Sequence, residues 1–129
     1  MILSEKYLKS PFCMNELLEV WRNSKMKPEV FRKRILVFRL PDAAMMTPVE
    51  RARCAKYWED QFRELDAFLR AEGPELLGGA DFQQHRLSRE ISHSVGDMLA
   101  LIADTLFPRD FDELSNYWYL YKLSINLYN

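Results

Sequence analysis

Apolar and polar residues follow one another along this chain in rhythms that change from segment to segment. Met14, Leu17, Leu18 and Trp21 recur at steps of three and four, the spacing that lays side chains on one face of a helix. Ser10-Pro11 opens that helix. The serine can accept from otherwise unpaired amide N–H groups, and proline suits the first helical position because no donor is needed there. The pattern predicts a helix that fades over residues 23–27, with Pro28 beyond it. In "RILVFRLPD", Ile35 to Phe38 is an unbroken apolar run, continued by Leu40 and stopped by Pro41. So short a run predicts a strand buried on both faces, as in a parallel sheet.

"TPVE" at Thr47–Glu50 reads as a capping box with proline at the first helical position. Ala55, Trp58, Phe62, Leu65 and Leu69 then step by three and four, and the stripe is expected to be core. Gly73-Pro74 ends this helix, since glycine accepts the left-handed cap and proline blocks continuation. "LLGGAD" reads as a loop. A third helix carries Ile91, Val95, Met98, Ile102 and Leu106, ends near Phe107-Pro108, and "DFDE" at 110–113 could cap a short further helix. In the tail "NYWYLYKLSINLY", odd positions from Tyr117 to Leu127 are apolar, which fits a strand, and helical spacing fits in part.

Composition narrows the classes. The chain has 129 residues, 48% of them hydrophobic and 29% charged, with a formal net charge of -1. That describes one ordinary globular domain, with no electrostatic footprint for nucleic acid or an anionic membrane. The basic cluster Arg32-Lys33-Arg34 reads as a solvated lead-in to the strand. No apolar run approaches the roughly 20 residues of a membrane span, and the N-terminus does not read as a signal peptide. Cys13 and Cys54 are far apart, so a reduced, cytoplasmic compartment is expected.

Candidate chemistry reduces to one carboxylate. His85 and His93 lack partners at ligand spacing, so no metal site is expected. Cys13 lies near a helix N-terminus with no histidine close in sequence, and Gly78-Gly79 lacks a phosphate-cradle pattern. Glu16 remains. On a helix its neighbours are Phe12 and Cys13 behind and Glu19 and Val20 ahead. Apolar neighbours are expected to leave it partly desolvated, with a raised pKa.

Ser4, Tyr7, Ser10, Phe12, Cys13, Glu16 and Leu17 together resemble the motif that follows the third strand of TIR (Toll/interleukin-1 receptor) domains, in their bacterial branch. "RILVFRLPD" resembles the fourth strand of that family, "ERARCAKYWEDQFRELDAFL" its following helix, and "FPRDFDEL" the end of the domain. The resemblance implies an α/β fold: the C-terminal part of a flavodoxin-like TIR domain over residues 1–114, helix-rich with one or two parallel strands. A divergent aromatic tail, able to form a C-terminal strand, would occupy 115–129. The family's earlier strands would be missing.

The resemblance further implies a cytoplasmic signalling or defence protein of innate immunity. Its inherited activity would be cleavage of NAD+ at the nicotinamide–ribose bond, with NAD+ as substrate and no cofactor. Glu16 would be the catalytic residue, Phe12 and Cys13 the pocket wall, and Ser10 a helix cap near the ligand. Nicotinamide leaves as a neutral molecule, so the site needs no general acid. It needs a carboxylate beside an oxocarbenium-like ribose. The expected partners are NAD+ and other TIR domains or a second copy. The alternative within the family is an inactive fragment that acts by association with TIR domains. Outside the family, the long helices expected at 48–72 and 81–107 could simply pair with each other.

Overall fold

The computed structural model describes residues 1–105. They form a helix-rich arrangement with two short parallel strands, compatible with an α/β class. In chain order these are β1 (Ile2–Leu3), α1 (Glu5–Leu8), α2 (Pro11–Asn23), α3 (Pro28–Arg34), β2 (Phe38–Arg39), α4 (Pro48–Glu72) and α5 (Gly79–Thr105). The expected features at 106–129, from Leu106 to the tyrosine-rich tail, lie outside the described residues.

Helix α2 starts and stops where its sequence says. The Ser10 hydroxyl accepts from Cys13 N at 3.3 Å. At the other end Ser24 Oγ donates to Val20 O at 2.7 Å, and Lys25 and Met26 both turn to φ 55°. Pro28 departs from expectation. It does not merely follow α2 but takes the first position of a new helix, α3, as proline can. Arg32, Lys33 and Arg34 are therefore not a lead-in to a strand. They form the last turn of α3, where cations complement the negative end of the helix dipole.

The strand also differs from its reading. β2 pairs in parallel with β1, in the register Ile2 with Phe38 and Leu3 with Arg39. Phe38 N donates to Met1 O at 3.0 Å and Leu40 N to Leu3 O at 2.8 Å. The strand is not buried on both faces. Ile35, Val37 and Phe38 are buried, but Leu36 is 48% exposed and Leu40 46%.

Helix α5 is the hub. It packs along α4 and also meets α2 and α3. Ile91, Val95, Met98, Leu99 and Ile102 are fully buried against Met14, Leu17 and Leu18 of α2 and Phe31 of α3. Helix α4 opens with the expected capping box. Thr47 Oγ1 accepts from Glu50 N at 3.2 Å, and the Glu50 carboxylate accepts from Thr47 N at 3.1 Å. It closes at Gly73, whose φ of 97° and ψ of 152° give a positive-φ but extended cap rather than a left-handed helical one. The stripe on α4 is only partly core: Trp58 is buried, while Phe62, Leu65 and Leu69 are half-buried. Helix α5 begins at Gly79, inside the segment expected to be a loop, after Gly78 N donates to Asp81 Oδ2 at 3.2 Å.

Candidate functional site

The residues singled out in the sequence sit at the junction of α1 and α2. Ser4 and Ser10 are both helix caps. Ser4 Oγ accepts from Tyr7 N at 3.0 Å and so starts α1, and Ser10 starts α2. Two caps six residues apart turn the chain twice within a few residues of the end of β1.

At 100° per residue, Met14, Leu17, Leu18 and Trp21 define the inward face of α2. Phe12, Glu16 and Glu19 fall on the opposite face, and all three are exposed. Phe12 is 75% exposed. The expected desolvation of Glu16 by its apolar neighbours is therefore overturned. Phe12 points to solvent rather than over the carboxylate, and Val20 and Cys13 are half-buried on the flank.

Tyr7, on the helix just before these residues, is half-buried. The Tyr7 hydroxyl donates to Met1 Sδ at 3.6 Å. Burial, first, and then the neighbouring Cys13 and Glu16 charges push its pKa up to about 12. Tyr7 is a neutral hydroxyl at physiological pH, as a tyrosine at its ordinary pKa would also be.

A second feature lies beyond the carboxyl ends of both strands, the place where open parallel sheets hold ligands. A cleft of about 400 Å³ opens there. Glu5, Leu8 and Lys9 enter it after β1, Asp42 and Ala44 after β2, and Arg53, Cys54 and Tyr57 from the first turns of α4. Lys9 bonds Glu5 at 3.0 Å and lies 5.6 Å from the centre of the Tyr57 ring. Burial pushes the Cys54 thiol up to about 11, against the opposing pull of Lys9. The thiol is therefore protonated at neutral pH and a poor nucleophile. Ser10 stands near the rim, in a shallower hollow with Glu5, Lys9 and Asp42. Glu16 does not line the cleft.

No family model matches the chain, and no curated protein or solved structure matches it either.

Lys9, Asp42 and Arg53 were not singled out in the sequence. Their signal was position: each stands just past a strand end or at the start of the next helix. The cleft floor is firmly built. Trp58 Nε1 donates to Leu8 O at 2.9 Å in the interior. Arg39 Nη1 donates to Ala43 O at 3.0 Å, and Arg51 Nη1 to Met45 O at 3.1 Å. These bonds fix the loop between β2 and α4. The two histidines go separate ways. His85 stacks on Phe62 at 4.5 Å, whereas His93 is exposed. Among the described residues, no group of three or more potential ligands could hold a metal ion. No described helix is long and apolar enough to cross a membrane.

Proposed function

We propose that this chain is a TIR-like domain that cleaves NAD+ at the nicotinamide–ribose bond, with Glu16 as the catalytic carboxylate. The observation that supports this reading is an accessible Glu16 on α2, close after the end of β1, with the half-buried Tyr7 hydroxyl on the helix just before it. Departure of nicotinamide leaves positive charge on the ribose. An anionic carboxylate stabilises that charge, and a neutral hydroxyl can hold a ribose oxygen without cancelling the anion. Parallel strands within a helix-rich fold are in keeping with the family, as is the order of the matching segments.

Exposure of Glu16 and Phe12 adds a requirement. A carboxylate in bulk water stabilises an adjacent cation weakly, because the dielectric is high. The active form must therefore cover the outer face of α2, and self-association or a second TIR-like domain supplies that cover. Phe12 and Cys13 then become wall, and Ser10 holds the start of the helix. Cys13 and Cys54 as free thiols fit a reducing, cytoplasmic setting. The test is NAD+ loss by the purified chain across a wide protein concentration range. Loss should rise faster than linearly with protein, vanish in Glu16→Gln and weaken in Tyr7→Phe. A folded protein that leaves NAD+ intact at every concentration would sink the proposal.

A second reading has its own support. Ile2, Leu36 and Leu40 are each close to half exposed on the two-stranded ribbon. An apolar sheet face of this kind suits a domain that acts only by association with other TIR-like domains. On that reading, co-expression changes the activity of an intact TIR protein and Glu16→Ala leaves the effect unaltered.

A further inference from the structure

We infer that the groove between α4 and α5 is a binding site for a condensed phosphate chain, either free polyphosphate or the triphosphate tail of a nucleotide. The site is remote from Glu16 and does not depend on the function proposed above. Its space comes from small residues. Ala52 and Ala55 stand on the flank of α4 that faces α5, and a groove of about 690 Å³ opens beside them.

The walls are cationic. Lys56, Arg63 and Arg70 come from α4 and Arg89 from α5, against the two carboxylates Glu59 and Asp66. Both carboxylates are already held, Glu59 by Arg63 at 2.6 Å and Asp66 by Arg70 at 3.0 Å with His85 of α5 at 3.4 Å, and Lys56 bonds Asp60 at 3.2 Å. Each arginine spends one nitrogen on that bond and keeps others for a ligand, since a guanidinium has five N–H donors. Arg89 differs. Its guanidinium lies 5.4 Å from the centre of the Phe62 ring, and among the described residues no carboxylate pairs with it. The ring fixes the direction of this cation and leaves its charge unanswered. His93, one turn further along α5, adds an exposed ring donor.

Spacing selects the ligand. Lys56, Arg63 and Arg70 follow one another at seven-residue steps, about 10 Å apart along one side of α4. Arg89 faces this row from α5. Such an arrangement suits negative charge spread along a line. Guanidinium forks match phosphate oxygens in particular, with two parallel N–H bonds. Phe62 already carries His85 stacked at 4.5 Å besides Arg89. Charged side chains share the lining of the groove with Ala52, Ala55 and Phe62.

The test is calorimetric titration of the full chain at low salt with inorganic tripolyphosphate, orthophosphate and ATP. Tripolyphosphate is expected to bind saturably and about tenfold or more tighter than orthophosphate. Arg89→Gln and Arg63→Gln should each weaken it about tenfold, the size of one lost charge-assisted hydrogen bond. Lys33→Gln removes the same charge from exposed α3 and should change nothing. Far-UV circular dichroism checks each variant, and Arg63→Gln stands alone if Arg89→Gln does not fold. ATP equal to tripolyphosphate identifies the bare chain as the ligand, and tighter ATP with the same sensitivity identifies a nucleotide. Absence of saturable binding overturns the site. So does equal affinity for orthophosphate, or an equal loss in Lys33→Gln.

Discussion

Helices α4 and α5 are of similar length and both carry an apolar stripe, yet they are buried very differently. Helix α5 sinks Ile91, Val95, Met98, Leu99 and Ile102 completely, while α4 fully buries only Trp58. The difference is one of neighbours. Among the described elements, helix α5 is met by α4 and also by α2 and α3, whereas α4 makes its main contact with α5. A regular stripe shows that a helix has an apolar side. How deeply that side sinks depends on how many elements arrive to cover it.

The strongest way to break this contrast is truncation at matched positions. Trp58→Ala removes a buried indole and leaves the Leu8 carbonyl without its donor, at an expected cost of about 3–5 kcal/mol. Ile102→Ala should cost about 2–5 kcal/mol. Leu69→Ala, on the same stripe as Trp58 but half-buried, should cost no more than about 1 kcal/mol. Urea unfolding of the three variants measures this, and equal losses would show that the outer part of α4 is as well covered as the inner part.

The capping box sharpens the comparison at lower cost. Thr47→Ala removes the acceptor for Glu50 N and should lower stability by about 1 kcal/mol. Thermal unfolding reads this as a shift of a few degrees.

Alkaline pH gives a third probe. In the unfolded chain Cys54 titrates near 9.0 and Tyr7 near 10.0, and in the fold these rise to about 11 and about 12. Above pH 9 the unfolded chain loses protons that the folded chain still holds, so stability falls as pH rises through these windows. Cys54→Ala should remove the earlier part of the decline, and an unchanged pH profile would show that the thiol is not held in an apolar site. The smallest effect belongs to Glu16→Gln. An exposed carboxylate without an ion pair among the described residues should leave stability within about 0.5 kcal/mol. A larger change would place Glu16 in the packing rather than at the surface.

Local chemistry was the most legible part of the sequence. Ser10-Pro11, Thr47-Pro48 with Glu50, and Gly73 each act through atoms a few residues away, and each does so in the structure. Helix α3 is not legible from Pro28 alone, because a proline serves equally well as the end of one helix and the beginning of the next. The strand was read as doubly buried because a run of apolar residues shows affinity for a core but not the number of layers available. Glu16 teaches more. Its neighbours were taken one at a time, and each apolar one suggested burial. The direction of the helix face, summed over Met14, Leu17, Leu18 and Trp21, was already in the sequence and turns Phe12 and Glu16 outward together. The strand-end cleft needed the topology, because only parallel pairing of segments 36 residues apart brings Lys9 toward Asp42.

The bond from the Trp58 indole to the Leu8 carbonyl spans 50 positions of chain. During synthesis Leu8 therefore emerges well before the donor that will secure it. The inward face of α2 waits longer still, since its principal cover, Met98 to Ile102, is made some eighty residues after Trp21. At ordinary translation speeds that interval is roughly 4 to 16 s. For those seconds the nascent chain displays Met14, Leu17, Leu18 and Trp21 to whatever surrounds the ribosome. Helix α3 covers part of that face early, through the edge contact of Trp21 with Phe31, and the arrival of α5 withdraws the rest of the invitation.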